Sequence, residues 1–258
     1  MKATRQATAD LWLRCYSPRP QRRARVVFLP HAGGNSTAFA PFSAAMPADL
    51  EGVIVQYPGR MDRSGENWEG GLRQACATIT LALTTLSDRP IALFGHSMGA
   101  MFAYEIAHLL AERGLSPVHL FVSGRPAPHH SRETSHHILG DDHLWSEMGR
   151  LGGTPQEVLE YSGLRPYLMP AIRADYRLAE TFRPQLRSSL TCPVTALLGD
   201  QDPEVTGTEA AAWADVSTGP FTMHIFDGDH FYLSSLVLPI VHLVADEVRR
   251  TLSSGGPS

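Results

Sequence analysis

Ile91-Ala-Leu-Phe-Gly-His-Ser-Met-Gly-Ala100 is the stretch that decides how the rest of the chain is read. Four apolar residues, Ile91 to Phe94, read as a short buried strand. Gly95-His96-Ser97-Met98-Gly99 then fits the G-x-S-x-G nucleophile elbow, and Ala100 to Arg113 reads as a helix. A strand, a tight turn and a helix are the context this motif needs. The turn must be sharp enough to project the serine hydroxyl from the top of a sheet. Gly95 and Gly99 carry no Cβ, so strand and helix can approach each other across it. The helix is small on its inner face, with Ala100, Ala103, Tyr104, Ala107, Leu110 and Ala111 at helical spacing. Gly114 stands where a left-handed C-terminal cap belongs. A serine between glycines is by itself often only a turn residue. The strand before it and the helix behind it make Ser97 a candidate nucleophile.

Outward from the elbow, apolar runs alternate with helical periods. Leu11 to Tyr16 reads as a weak edge strand that Pro18 and Pro20 end. Arg25 to Pro30, Gly52 to Tyr57, Val118 to Ser123 and Val194 to Leu198 are continuous and rich in Val, Ile, Leu and Phe, as strands buried on both faces should be. Phe221 to Phe226 is the last strand. Leu72 to Leu86, Thr208 to Trp213 and Leu236 to Thr251 read as helices. This rhythm predicts an α/β fold: a mostly parallel, twisted sheet with helices on both faces, joined by right-handed crossovers.

The rhythm breaks after Gly124. From Arg125 to Pro184 no strand is evident, and helical pieces at Asp142 to Gly149, Pro155 to Tyr161 and Tyr167 to Phe182 are separated by glycine and proline. Roughly 60 residues is too long for a plain loop, so a helical lid inserted into the core is the economical reading. Residues 1–124 and 190–258 then form the core and 125–189 the lid. Its apolar residues, among them Leu144, Met148, Leu168, Met169, Ile172 and Tyr176, suggest a long or greasy substrate. A packed helical layer without any gating role is the competing reading.

A serine nucleophile needs a base, and the base needs an orienting acid. In this chain order the acid belongs after a late strand and the base after the last one. Asp202, in Gly199-Asp-Gln-Asp-Pro203, and His230, in Asp227-Gly-Asp-His-Phe231, stand at those places. Asp200 is the rival acid, read as a structural hydrogen bonder. Asp227 and Asp229 are expected to favour the charged form of His230. His96, next to the serine in sequence, is not the base. The loop His31-Ala-Gly-Gly-Asn-Ser-Thr-Ala-Phe39 follows a strand, and Asn35 or Ser36 can cap a helix there. The backbone N–H groups of Ala32 and Met98 are the candidate oxyanion donors. G-x-G-x-x-G is absent, which disfavours a dinucleotide loop.

Composition narrows the partners and the compartment. The 258 residues suit one large domain, and 43% hydrophobic with 19% charged residues is globular composition. A net charge of −4 argues against nucleic acid as a bulk partner. The basic run Arg19 to Arg25 reads as a solvated loop. Cys15, Cys76 and Cys192 are odd in number, scattered and without a C-x-x-C pair, which suits buried thiols in a reducing compartment. Without a visible signal peptide or a run of about 18 apolar residues, the cytosol is the expected setting. His129, His130, His136, His137 and His143, with Asp141 and Asp142, form a His-rich tract. Its irregular spacing favours a solvated polar face over a metal site, so no metal is assigned.

Five ordered motifs together resemble the type II thioesterases: Phe28-Leu-Pro-His-Ala-Gly-Gly34, Gln56-Tyr-Pro-Gly-Arg60, Gly95-His-Ser-Met-Gly-Ala100, Gly199-Asp-Gln-Asp-Pro203 and Gly228-Asp-His-Phe231. These are stand-alone enzymes of the α/β-hydrolase fold that accompany polyketide synthases and non-ribosomal peptide synthetases. The resemblance covers about residues 11 to 245. It implies hydrolysis of acyl thioesters from the phosphopantetheine arm of acyl or peptidyl carrier proteins, which clears aberrant groups from a megasynthase. It implies Ser97, Asp202 and His230 as triad and the N–H groups of Ala32 and Met98 as oxyanion hole. It also implies that the phosphopantetheine is carried by the partner, with no cofactor of the enzyme's own, and the chain is expected to be monomeric. Arg60, Arg63 and Arg125 are candidate contacts for an acidic carrier protein, against the plainer reading of solvated surface charge. Two other functions compete: a small-molecule ester hydrolase or lipase with the same triad, and a pseudo-hydrolase that only binds.

Overall fold

The computed structural model describes residues 7, 9–130, 132–154, 156–161, 163–185 and 187–254. Seven strands form one sheet: β1 (Leu13–Arg14), β2 (Ala24–Leu29), β3 (Leu50–Val55), β4 (Ile91–His96), β5 (His119–Ser123), β6 (Val194–Gly199) and β7 (Phe221–Phe226). Their spatial order is β1-β3-β2-β4-β5-β6-β7. All neighbours pair in parallel except β1, which runs antiparallel to β3. Every residue of β2 to β6 is buried, which explains their continuous apolar runs. At one edge β7 alternates half-buried with exposed residues. At the other edge β1 is only two residues long, shorter than Leu11 to Tyr16, because residues 9–12 are helical.

The helices cover both faces. One face packs against α2 (Leu72–Leu83) and α3 (Met98–Ala111), where Cys76, Ile79, Phe102, Ile106 and Leu110 join the strand residues. The other packs against α1 (Ala40–Ala45) and the C-terminal helix, Val237–Ser254, through Phe42, Phe94, Val241 and Val244. The loop after β2 starts a 3-10 turn, Ser36–Phe39. Asn35 caps it, its side chain accepting from Thr37 N at 2.8 Å.

The basic run before β2 is not the solvated loop its charge suggested. Arg25 is buried on β2 and donates to Glu51 at 2.9 Å and Asp88 at 2.6 Å, and Arg22 pairs with the same Glu51. Burial next to β3 demands these partners, because an unpaired guanidinium there would be costly. Of the three cysteines Cys76 and Cys192 are buried as expected, whereas Cys15 is exposed.

Between β5 and β6 the described residues contain no named strand. They form α4 (Asp141–Leu151), α5 (Gln156–Glu160) and α6 (Arg165–Thr181), after short 3-10 turns at Pro128–His130 and His136–Ile138. Pro155, the expected start of the middle helix, lies outside the described residues. Leu144, Met169 and Ile172 form a small core of their own, with Trp145, Met148, Leu168 and Tyr176 packed against it. The apolar residues of this segment therefore largely cover one another, while Tyr161 and Tyr167 remain exposed.

Candidate active site

The parallel sheet delivers the predicted residues to one end. β4 lies between β2 and β5, so the turns after these strands meet above it. Ser97 stands at the β4-to-α3 turn with φ 55° and ψ −117°, a region that side-chain-bearing residues rarely adopt. Its N–H donates to Ser123 O at 2.8 Å, which ties the turn to β5. A Cβ on Gly95 would lie 2.1 Å from Gly99 O, and one on Gly99 would lie 1.9 Å from Leu29 O. Glycine is required at both positions by backbone contact, as the elbow motif anticipated.

His230 follows β7 and is buried. Its Nδ1 hydrogen-bonds Asp202 at 3.0 Å to Oδ1 and 2.9 Å to Oδ2. Asp202 Oδ1 also accepts from Glu204 N at 2.8 Å, which holds the carboxylate in its turn. Asp200 is exposed and accepts from Gly228 N at 2.9 Å, bracing the two loops against each other. Asp227 and Asp229 are exposed as well, and Asp229 accepts from Phe231 N. Neither carboxylate forms an ion pair with the His230 ring among the described residues. Among the described residues Asp202 is the carboxylate that pairs with it.

Sequence reasoning missed how many imidazoles gather here. The His96 ring lies 4.9 Å from that of His230 and 5.9 Å from that of His31, centroid to centroid. Burial, then the charge of His230, holds His31 down to about 3, and the same causes hold His96 well below the usual histidine range. His96 Nδ1 bonds Ser123 Oγ at 2.9 Å, and Tyr232 Oη bonds the same hydroxyl at 2.8 Å. Two of the three rings are thus kept neutral, and the carboxylate sits beside the third.

Ser97, Met98, Ala32 and His230 line one cavity of about 100 Å³. Met98 is the first residue of α3, so its N–H has no partner within the helix. The helical segment contributes Met148, Leu151 and Tyr176 to the wall, but also Thr134, His136, Glu147 and Glu180. The wall is more polar than the residue pattern suggested, because the apolar faces of α4 and α6 are spent on each other. Glu180 accepts from His137 Nδ1 at 2.5 Å, and His136 Nδ1 faces His143 Nε2 at 3.2 Å. The His-rich tract is therefore partly internal. Among the described residues no three His, Cys, Asp or Glu side chains gather as metal ligands would.

The three arginines considered for docking are not free surface charges. Arg63 is buried, its guanidinium 4.2 Å from the Trp12 ring. Arg125 is half-buried and lines the cavity. Arg60 is buried against Asp175 of α6. Asp175 was not anticipated. The signal was present, since Met169, Ile172, Asp175 and Leu178 share the buried face of α6 and one of them is an acid.

Comparison with known proteins meets this geometry. The thioesterase domain model matches residues 24–245. The chain belongs to the thioesterase domain family. Thioesterase PikA5 of Streptomyces venezuelae is 38% identical over 242 residues, covering 93% of this chain and 86% of that protein. The gramicidin S biosynthesis protein GrsT of Aneurinibacillus migulanus is 31% identical, covering 90% of this chain and 91% of that one. Among solved structures, the type II thioesterase BorB from the borrelidin biosynthetic cluster superposes with a TM-score of 0.87. It is 40% identical, with 93% of this chain and 98% of that one covered. The fold is that of the α/β-hydrolase thioesterases.

Proposed function

We propose that the chain is an editing thioesterase that hydrolyses acyl groups from the phosphopantetheine arm of carrier proteins in a polyketide or non-ribosomal peptide synthase. The observation that carries the reading is that His230, paired with Asp202, lines the same cavity as Ser97, in a chain of the thioesterase family. Ser97 Oγ attacks the thioester carbonyl carbon and gives its proton to His230, whose Nδ1 is held by Asp202. The N–H groups of Ala32 and Met98 receive the oxyanion. The C–S bond breaks and the pantetheine sulfur leaves with the proton from His230. Water, deprotonated by His230, then attacks the seryl ester. The Ser97 oxygen leaves reprotonated, and the free acid is released.

The steps call on no cofactor of the enzyme's own. Residues 125–189 act as a lid over a core of 1–124 and 190–258. A cavity of about 100 Å³ supports this, being small beside the several hundred Å³ of ordinary ligand pockets. The monomer works in the cytoplasm. Free cysteines support that setting, and no helix among the described residues is long and apolar enough to cross a membrane.

The test compares an acyl-carrier-protein thioester with an oxygen ester of the same acyl group. The thioester should be strongly preferred, and Ser97→Ala should lower its turnover about a million-fold with the melting temperature retained. Turnover surviving in a folded Ser97→Ala protein would refute the assignment, and preference for the oxygen ester would refute the substrate class.

A further inference from the structure

The turn after β2 is held from outside the sheet. His31 C=O accepts from Gly34 N at 3.0 Å, and Gly33 has φ 78° while Ala32 keeps a negative φ. This is a type II turn, with glycine at the third position supplying the positive φ. Types I and II differ in which way the central peptide faces, here the peptide between Ala32 and Gly33. Its N–H donates to Asp175 Oδ2 at 2.8 Å. Asp175 lies fully buried on α6. Its other oxygen accepts from Trp68 Nε1 at 2.7 Å, and Arg60 pairs with it from the turn after β3.

The helix sits directly on the turn. A Cβ on Gly33 would stand 3.4 Å from Ile172 Cγ1, and one on Gly59 would stand 3.0 Å from Ala171 Cβ. Docking alone does not call for a carboxylate here. An apolar side chain could fill the position without the desolvation a buried ion pair entails. What the carboxylate adds is an acceptor that distinguishes one orientation of the turn's central peptide from the other.

We propose that Asp175 is a positioning residue for the oxyanion turn: by accepting from Gly33 N–H it fixes the Ala32–Gly33 peptide and so aims the Ala32 N–H at the developing oxyanion. The proposal rests on the reading of Ala32 as an oxyanion donor. The peptide between His31 and Ala32 is trans, so its N–H points away from its C=O, and that C=O is already tied to Gly34. Asp175 clamps the neighbouring peptide, and together they leave the Ala32 N–H one direction. α6 thereby belongs to the positioning apparatus of the site, and within residues 125–189 it is the part bonded to the turn after β2.

Asp175→Asn keeps the size but replaces one acceptor oxygen with a donor. On an acyl-carrier thioester it should lower kcat about 10- to 100-fold, somewhat less than deleting an oxyanion donor outright, with KM within about threefold. Affinity for a trifluoromethyl ketone analogue, which binds as a tetrahedral adduct, should fall by the same factor, while affinity for an inert thioether analogue holds. Gly33→Ala is the independent variant should the first fail to fold. Its Cβ would make only ordinary contact with Ile172, so its loss of kcat would come from the disfavoured positive φ. If the folded variants keep kcat within twofold, or raise KM alone, the proposal is overturned while a dead Ser97→Ala protein leaves the site reading standing. Full turnover by a folded Ser97→Ala protein would overturn both.

Discussion

Ser97 and its two glycines show how tightly single residues are specified at the elbow. The obstacles to a Cβ at Gly99 are the carbonyl groups of Leu29 and Pro30, which no rotamer change can move. Gly99→Ala should therefore destabilise the protein by about 3 kcal/mol or more, the upper end of overpacking costs. Urea unfolding measures it, and a loss below about 1 kcal/mol would mean that strand and helix can part at little cost. Such residues were legible in the sequence because their chemistry is local: Gly95, Ser97 and Gly99 stand within five positions, and Asp202 and His230 each follow a recognisable strand. Asp175 was not legible in the same way. Its partners are 142, 115 and 107 positions away, and only the fold brings Gly33, Arg60 and Trp68 together.

At the scale of elements, the three helices between β5 and β6 are not equivalent. α6 buries Met169, Ile172, Asp175 and Leu178 and is bonded to the turn after β2. α4 buries only Leu144 fully, and the described side chains of α5 are half-buried or exposed. Local opening follows the density of such buried contacts. In native-state hydrogen exchange the amides of α6 should outlast those of α4 and α5 by at least tenfold, and equal protection would show the segment to be one rigid layer. Apolar periodicity predicted all three helices to within about two residues, since a helix registers its buried face in its own sequence. It could not say what that face meets, so most residues expected to line a greasy cavity pack on each other, and of these Met148 and Tyr176 also reach the wall. The short helix Ala40–Ala45 went unread, having too few residues to show a period.

For the molecule as a whole, the buried histidines set the response to acid. Burial holds His31 and His119 down to about 3 and His108 to about 4, with His96 also well below its usual value. In the unfolded chain these imidazoles take up protons near pH 6.5. Between there and pH 4 the unfolded state binds more protons, so stability falls with pH, each histidine contributing up to about 1.4 kcal/mol per pH unit. Carboxylates with depressed values, such as Glu209 at about 2 beside Arg132, keep their contribution until lower pH, below their unfolded range. Urea midpoints at pH 7 and pH 5 should therefore differ clearly, and His119→Asn should reduce the difference. Identical midpoints would show that the rings are charged in the fold. The left-handed backbone at Ser97 has a consequence of another kind. An inert enzyme for capturing a carrier complex can be made with alanine or with glycine at 97, and the two are not interchangeable. Alanine retains a β-carbon and keeps the elbow under tension, whereas glycine would let it relax. Only the first is a faithful decoy of the working catalyst.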